Sequence, residues 1–292
     1  LNGVLDLNNF DQTIAGLNGS GEVLLGTATL TVLGDSNYNF NISGSGGLTQ
    51  EGPGTLVLTG YNTYYGDTVI SQGTIQAGAT NTLSANSTVN VRSGGALDLN
   101  NYNQTIAGLT GSGSVTLGSA TLTVGNAAAN IFSGTISGSG GLTKTGSGAL
   151  ILAGDNTYTG PTTILQGTLS LQGATASSSM AVSSGAILDF SPSRDLAYAG
   201  SISGDGAVTK TGGNTLTLTG NNSYTGGTTI SGGTISISSD ANLGASTGAL
   251  TLAGGTLRTT AAVSTSRPVT VTGSGSIDNA GNAVTLAGNL LG

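Results

Sequence analysis

The sequence predicts an all-β fold, a parallel β-helix (solenoid) of roughly 14 turns, and this prediction depends on two observations. Blocks of the chain repeat without gaps, and within each block apolar residues alternate with Thr or Ser over segments of three to five residues. A period of two places alternate side chains on one face of a strand and is not helical. Gly, Asn, Asp and Ser bound these segments and suit tight corners, and Gly alone accounts for 52 of the 292 residues.

The repeats organise the whole chain. Three blocks align near residues 44–75, 138–169 and 204–235, and they begin GSGGLTQEGPG, GSGGLTKTGSG and GDGAVTKTGGN. A second motif, VLDLNNFDQTIAG from Val4, returns as ALDLNNYNQTIAG from Ala96. Units of this kind bury their apolar side chains only against neighbouring units. Residues 1–292 are therefore predicted to form a single repetitive segment.

The spacing between matching strands sets the size of one turn. Leu56 and Ile75 are 19 residues apart, and Ile75 and Leu97 are 22 apart. Turns of this length contain several short strands, each of which pairs with the next turn at about 4.8 Å. At the corners we expect Asn62 to bond backbone groups and Tyr64 to pack beside it, because both residues recur in every block.

Composition excludes several classes of function. The chain has no His and no Cys, which removes Ser/His/Asp and Cys/His relays and thiolate zinc sites. Its 13 acidic and 6 basic residues give a formal charge of −7, so too few cations exist to neutralise a row of phosphates. The sequence therefore predicts no catalytic residue, no metal, no cofactor and no nucleic-acid partner.

The segment GGLTKTGSGALILAGDNTYTGPTTILQGTLSL, residues 140–171, resembles the passenger-associated transport repeat, also called the autotransporter-associated β-strand repeat. This resemblance to passengers of type V secretion implies a right-handed parallel β-helix that is exported through the outer membrane of a Gram-negative bacterium. It also implies display on the cell surface or release, a role of the repeats in secretion, and, as in large members, adhesion and virulence. The implied partner is a protein or glycan of a host or neighbouring cell.

The resemblance also makes predictions about the rest of such a protein. A signal peptide and a C-terminal membrane barrel are expected outside this chain, and membrane anchoring is expected only through that barrel. Solenoid ends need polar caps, and no cap is evident in the sequence. We therefore expect end-to-end or lateral self-association.

Aromatic residues that do not repeat are the candidate binding residues. Tyr38, Phe40, Tyr61 and Tyr65 lie within 28 residues, and the later blocks have Asp or Asn in place of Tyr61 and Thr in place of Tyr65. Clustered exposed aromatics form contacts with glycans or proteins, whereas inward packing explains the same residues without a binding role.

Two other functions are alternatives to the surface rod or stalk. A carbohydrate-active β-helix needs converging carboxylates, but Asp6, Asp98 and Asp189 occupy one repeated strand position and the other acids are scattered. An ice- or surface-templating solenoid needs an uninterrupted Thr ladder, and residues such as Gln76 and Arg258 interrupt it. The sequence therefore predicts an interaction rod or structural stalk and not an enzyme.

Overall fold

The computed structural model describes residues 3–39, 41–125 and 127–292. The chain divides into two compact units. Unit 1 comprises Leu1–Gly146 and Thr157–Gly160, and unit 2 comprises Ser147–Asn156 and Pro161–Gly292. Each is a β-solenoid, and the parallel strands make about 14 turns in all, which confirms the predicted fold class.

Unit 1 is built of short strands that pair in parallel with the strands of the next turn. They are β1 (Val4–Asp6), β2 (Gln12–Ile14), β3 (Glu22–Leu24), β4 (Leu30–Val32), β5 (Ser36–Tyr38), β6 (Ile42–Ser43), β7 (Leu48–Gln50), β8 (Thr55–Leu58), β9 (Thr68–Ala77), β10 (Thr88–Asp98), β11 (Gln104–Ile106), β12 (Gly108–Gly111), β13 (Ser114–Thr116), β14 (Leu122–Val124), β15 (Asn130–Phe132), β16 (Thr135–Ser137) and β17 (Leu142–Lys144).

These strands stack into separate sheets around the core of unit 1. One sheet is β1-β3-β6, and another is β11-β14-β17. Strand β9 belongs to two stacks, because its first half pairs with β7 and its second half with β8. Gly73, at φ +66°, turns the chain between the two halves, and a Cβ there would lie 2.3 Å from the Gly54 carbonyl oxygen. Only glycine fits this corner.

Unit 2 repeats the same construction. Its elements are β18 (Ala149–Leu152), β19 (Thr162–Ile164), β20 (Thr168–Leu171), β21 (Ser179–Val182), β22 (Ile187–Phe190), β23 (Leu196–Tyr198), β24 (Ser201–Ser203), β25 (Ala207–Lys210), β26 (Thr215–Leu218), β27 (Thr228–Ile230), β28 (Thr234–Ile237), the 3-10 helix η1 (Asp240–Leu243), β29 (Leu250–Ala253), β30 (Thr256–Thr259), β31 (Val263–Thr265), β32 (Val269–Thr272), β33 (Ser276–Asp278), β34 (Val284–Leu286) and β35 (Leu290–Leu291). Parallel stacks include β19-β21-β24 and β23-β26-β28-β30-β33. Apart from η1, the described residues contain no helix.

The predicted role of the repeated Asn is confirmed in both units. Asn62 accepts a hydrogen bond from the Ile42 amide at 2.7 Å and donates to the Thr82 carbonyl at 2.6 Å. Asn222 accepts from the Ile202 amide at 2.8 Å and donates to a carbonyl 20 residues later at 2.6 Å. Each buried side chain therefore joins the turn before it to the turn after it, where unpaired backbone groups would be costly.

The repeated Tyr is buried beside this Asn. Tyr64 shares a hydrogen bond with Thr68 at 2.7 Å, and Tyr224 shares one with Thr228 at 2.6 Å. Burial raises the pKa of each phenol to about 12. These tyrosines are therefore part of the core and are not available to a ligand at the surface.

One inward position differs among the repeats. Lys210 is fully buried, and its Nζ donates to three carbonyls, those of Thr211, Gly212 and Gly232, at 2.5, 2.8 and 3.2 Å. Burial lowers the pKa of this amine. At the matching position of the first repeat, Gln50 donates through Nε2 to two glycine carbonyls at 3.1 and 3.2 Å, while its buried Oε1 lacks a partner. The core thus contains polar groups whose function is to bind backbone carbonyls.

Candidate binding surface

The four residues predicted to form an aromatic patch do not lie together on the surface. Tyr38 is fully buried, its hydroxyl donates to the Gly21 carbonyl, and burial raises the pKa of this phenol to about 12. Its place in an exposed patch was wrong, because β5 directs this side chain into the core of unit 1. Phe40 lies outside the described residues. Tyr61 and Tyr65 are 65% and 68% exposed.

The alternation of the 61–65 segment explains this exposure. The segment runs beside β6, with the Thr63 amide donating to the Ile42 carbonyl at 3.0 Å and the Tyr65 amide donating to the Gly44 carbonyl at 2.9 Å. Since Asn62 and Tyr64 point inward, their odd-numbered neighbours point outward. The corner bonds of the repeat therefore fix the direction of both exposed rings.

The register of sheet β1-β3-β6 shows what surrounds Tyr61. Val4 pairs with Glu22, and the pairing of Val23 with Ile42 sets Glu22 beside Asn41. The bonds of the 61–65 segment to β6 then set Tyr61 beside Asn41. These four positions form one outward column, and all four residues are exposed.

A second outward column runs beside the first. Asp6 pairs with Leu24, which pairs with Ser43, and Thr63 follows. Asp6 is exposed and the other three are half-buried. We call the surface made by Val4, Asp6, Glu22, Tyr61 and Tyr65 the acidic tyrosine face.

Sequence reasoning missed the acidic members of this face. In the sequence, Asp6 stands out only as a repeated strand position. Glu22 gives no signal, because 39 residues separate it from Tyr61. Only the register of the turns brings them to one sheet. Phe10 is 66% exposed and was not predicted as a surface residue, although the matching motif also has an aromatic residue, Tyr102, at this position.

The described residues offer little to hydrolytic or metal chemistry. No group of three His, Cys, Asp or Glu side chains that could hold a metal ion occurs among them. Asp189 accepts hydrogen bonds from three hydroxyls, those of Ser170, Thr209 and Thr211, at 2.7 to 3.2 Å. A cleft of about 440 Å³ in unit 1 is lined by residues such as Ser93, Ser112 and Ser133 and by no titratable side chain.

The described residues include a single short helix, η1. None of their helices is long and apolar enough to cross a bilayer.

Three stretches of the chain match one family model. The model describes the passenger-associated-transport-repeat, and the matched residues are 48–77, 142–171 and 208–237. The chain contains three passenger-associated-transport repeats. This confirms the resemblance drawn from the repeat sequence, within four residues of the predicted block boundaries.

Two curated proteins are similar to parts of this repeat-bearing chain. An adhesin, the BmaC autotransporter of Brucella suis biovar 1 (strain 1330), is 36% identical over 165 residues, which are 54% of this chain and 5% of that protein. An extracellular serine protease of Serratia marcescens is 60% identical over 38 residues, 13% of this chain and 4% of the protease. The chain therefore corresponds to a small part of either relative.

Proposed function

We propose that this chain is part of an autotransporter passenger that acts outside the cell as an adhesin-like interaction protein. The three passenger-associated-transport repeats support the passenger assignment, and the similarity to an adhesin autotransporter over 54% of the chain supports the adhesive role. The location that follows is extracellular, either at the surface of a Gram-negative bacterium or released from it. Its partner is a protein or glycan of a host or neighbouring cell.

The observation that carries the adhesive part of the proposal is the pair Tyr61 and Tyr65. Both rings are about two-thirds exposed. They lie on a corner that is held in place by hydrogen bonds to the neighbouring turn. Exposed rings on a rigid support bury a large contact area and lose little conformational entropy, which favours binding. The third repeat has Asn221 and Thr225 at these positions and lacks the feature.

A non-enzymatic role fits the same observations better than hydrolysis. The match to the serine protease covers 38 residues, about the length of one repeat. This sequence has no His, so a Ser/His/Asp triad does not lie within it.

An array experiment tests the proposed function. The purified chain is applied to immobilised matrix proteins, glycans and intact animal cells, beside a variant carrying Tyr61→Asn and Tyr65→Thr, the residue types of the third repeat. We expect saturable binding by the chain and a loss of binding by the variant. Absence of binding by both would refute the adhesive role and would leave a spacer or secretion scaffold.

A further inference from the structure

The charges of unit 1 are arranged asymmetrically around the acidic tyrosine face. Residues 1–91 contain six acidic residues and neither Lys nor Arg, since Arg92 is the first basic residue of the chain. Two of the six acids, Asp6 and Glu22, belong to the face, and both are exposed. This part of the surface therefore has a negative potential that no neighbouring cation in the sequence offsets.

The basic residues elsewhere do not restore the balance at the surface. Lys144, Lys210 and Arg267 are fully buried. Of the other three, Arg194 is paired with Asp155 at 2.7 Å and Arg258 with Asp278 at 3.6 Å. The third, Arg92, is exposed and donates to the Ser71 hydroxyl at 3.2 Å. The exterior of the chain is thus more acidic than its formal charge of −7 indicates.

The spacing of the face suits a cationic side chain. Glu22 and Tyr61 lie two strands apart in one column, roughly 10 Å at the usual strand separation. A guanidinium or ammonium that lies over an exposed Tyr ring gains cation–π attraction, and a second cationic side chain of the same segment can donate a charge-assisted hydrogen bond to Glu22. Val4, 62% exposed at the start of the same column, supplies an apolar neighbour for the stem of such a side chain.

We propose that the acidic tyrosine face binds an arginine- or lysine-rich segment of a partner protein. The proposal rests on the adhesin-like function proposed above and names the chemistry of its partner. The two columns lie side by side, and Tyr65 follows Thr63 by two residues on the same outward side. An extended basic segment can therefore place successive cationic side chains over Tyr61 and Tyr65 while Asp6 and Glu22 accept their hydrogen bonds.

The same place in the third repeat lacks both exposed tyrosines and the counterpart of Glu22. The hydrogen bond from the Ile202 amide to Asn222 places Ser201 beside Asn221. Ser179 pairs with Ser201, so Ser179 occupies the position that Glu22 has in the acidic tyrosine face. Thr225 replaces Tyr65 and donates to Asp205 at 2.9 Å. The backbone is shared, while the two tyrosines and Glu22 occur at the first repeat and in the turns before it, and not at the third.

Charge also separates this partner from a carbohydrate. A neutral glycan can donate hydroxyl hydrogen bonds to the two carboxylates but carries no charge for them to attract, and an acidic glycan is repelled by them. A basic segment uses both the rings and the carboxylates. Its affinity must therefore fall steeply as salt screens the charges.

The test uses the whole chain and a synthetic ten-residue peptide of alternating Arg and Ser. A peptide with citrulline in place of Arg serves as the neutral control, and titration calorimetry at 25 and 300 mM NaCl measures Kd. We expect one saturable site, no binding of the citrulline peptide, and a Kd that rises at least about fivefold at the higher salt. Tyr61→Asn with Tyr65→Thr raises Kd at least about tenfold, and Glu22→Gln raises it about threefold to fivefold.

A matched charge control decides whether the face itself is responsible. Glu51→Gln removes one exposed acid of unit 1 from another corner and changes Kd by less than about twofold. Equal effects of Glu22→Gln and Glu51→Gln, or unchanged binding by the Tyr variant, would overturn the proposal. Binding of a neutral glycan that requires the two tyrosines and ignores salt would also overturn it, but would leave the adhesin-like function standing.

Discussion

The first and third repeats, residues 48–77 and 208–237, share a backbone and differ in what they present to solvent. Asn62 and Asn222 make the same pair of interturn bonds, and Tyr64 and Tyr224 bond the same Thr four residues later. Between these fixed inward positions, the outward residues are Tyr in the first repeat and Asn or Thr in the third. Buried residues thus maintain the solenoid and leave the outward positions free to acquire a binding function.

The largest expected effect concerns the buried tyrosines that both repeats share. Because the pKa of Tyr64 and of Tyr224 is raised to about 12, their stabilising contribution is complete below pH 10 and is lost as pH rises toward 12. Each phenol should cost the fold roughly 3 kcal/mol across this range. Urea unfolding followed by circular dichroism at pH 9 and pH 12 measures the loss.

The matching variants show whether the two repeats behave alike. Tyr64→Phe and Tyr224→Phe should each remove a similar share of the alkaline loss. A free energy of unfolding that stays constant up to pH 12 would contradict the account.

A similar loss of stability is expected when the corner Asn is removed. Asn62→Ala and Asn222→Ala each leave a buried amide and a buried carbonyl without partners, which should lower the free energy of unfolding by about 3 kcal/mol. Asn221→Ala, at an exposed position, should change it by less than about 0.5 kcal/mol. If either Asn62→Ala or Asn222→Ala leaves the free energy of unfolding in urea unchanged, the two corners are not equivalent.

Exchanging the inward polar residue should have opposite effects in the two repeats. Lys210→Gln leaves one of three carbonyls without a hydrogen-bond donor and adds a buried oxygen without a partner. It should therefore lower the free energy of unfolding by about 1 to 2 kcal/mol. Gln50→Lys removes such an oxygen and should raise stability by about 1 kcal/mol. Thermal unfolding measures both changes, and Gln72→Lys, at an exposed position in the same unit as Gln50, controls for the added charge. A loss of stability in Gln50→Lys would refute this interpretation.

The smallest effect on stability is expected at the outward tyrosines. Tyr61→Asn with Tyr65→Thr should change the free energy of unfolding by less than about 0.5 kcal/mol, because both rings are mostly exposed. The reverse graft, Asn221→Tyr with Thr225→Tyr, should not create peptide binding, since Ser179 stands where the face has Glu22. Calorimetric binding by the graft equal to that of the first repeat would show that the carboxylates are dispensable.

Periodicity and repeats predicted the solenoid because they describe the chain one turn at a time. The corner roles of Asn62 and Tyr64 followed from their recurrence in each block, and the structure confirms both. The prediction of a single segment from 1 to 292 stays a prediction, as does the handedness of the coil.

The site was predicted only in part, because it depends on register between turns. Tyr61 and Tyr65 were found as departures from the repeat, but Tyr38 shares the same composition signal and points inward. Pairing Val4 with Glu22, and Glu22 with Asn41, requires knowing the exact number of residues in two successive corners. A difference of one residue there would turn Glu22 into the core.

Hydrogen exchange of the whole chain, alone and with the saturating Arg-Ser peptide, tests the central contrast between the two repeats most directly. The account predicts slower exchange in segments covering residues 22–24, 41–45 and 61–65 when the peptide is bound, and no change in residues 201–205 and 221–225. Equal protection of both regions, or protection of the third repeat alone, would contradict it.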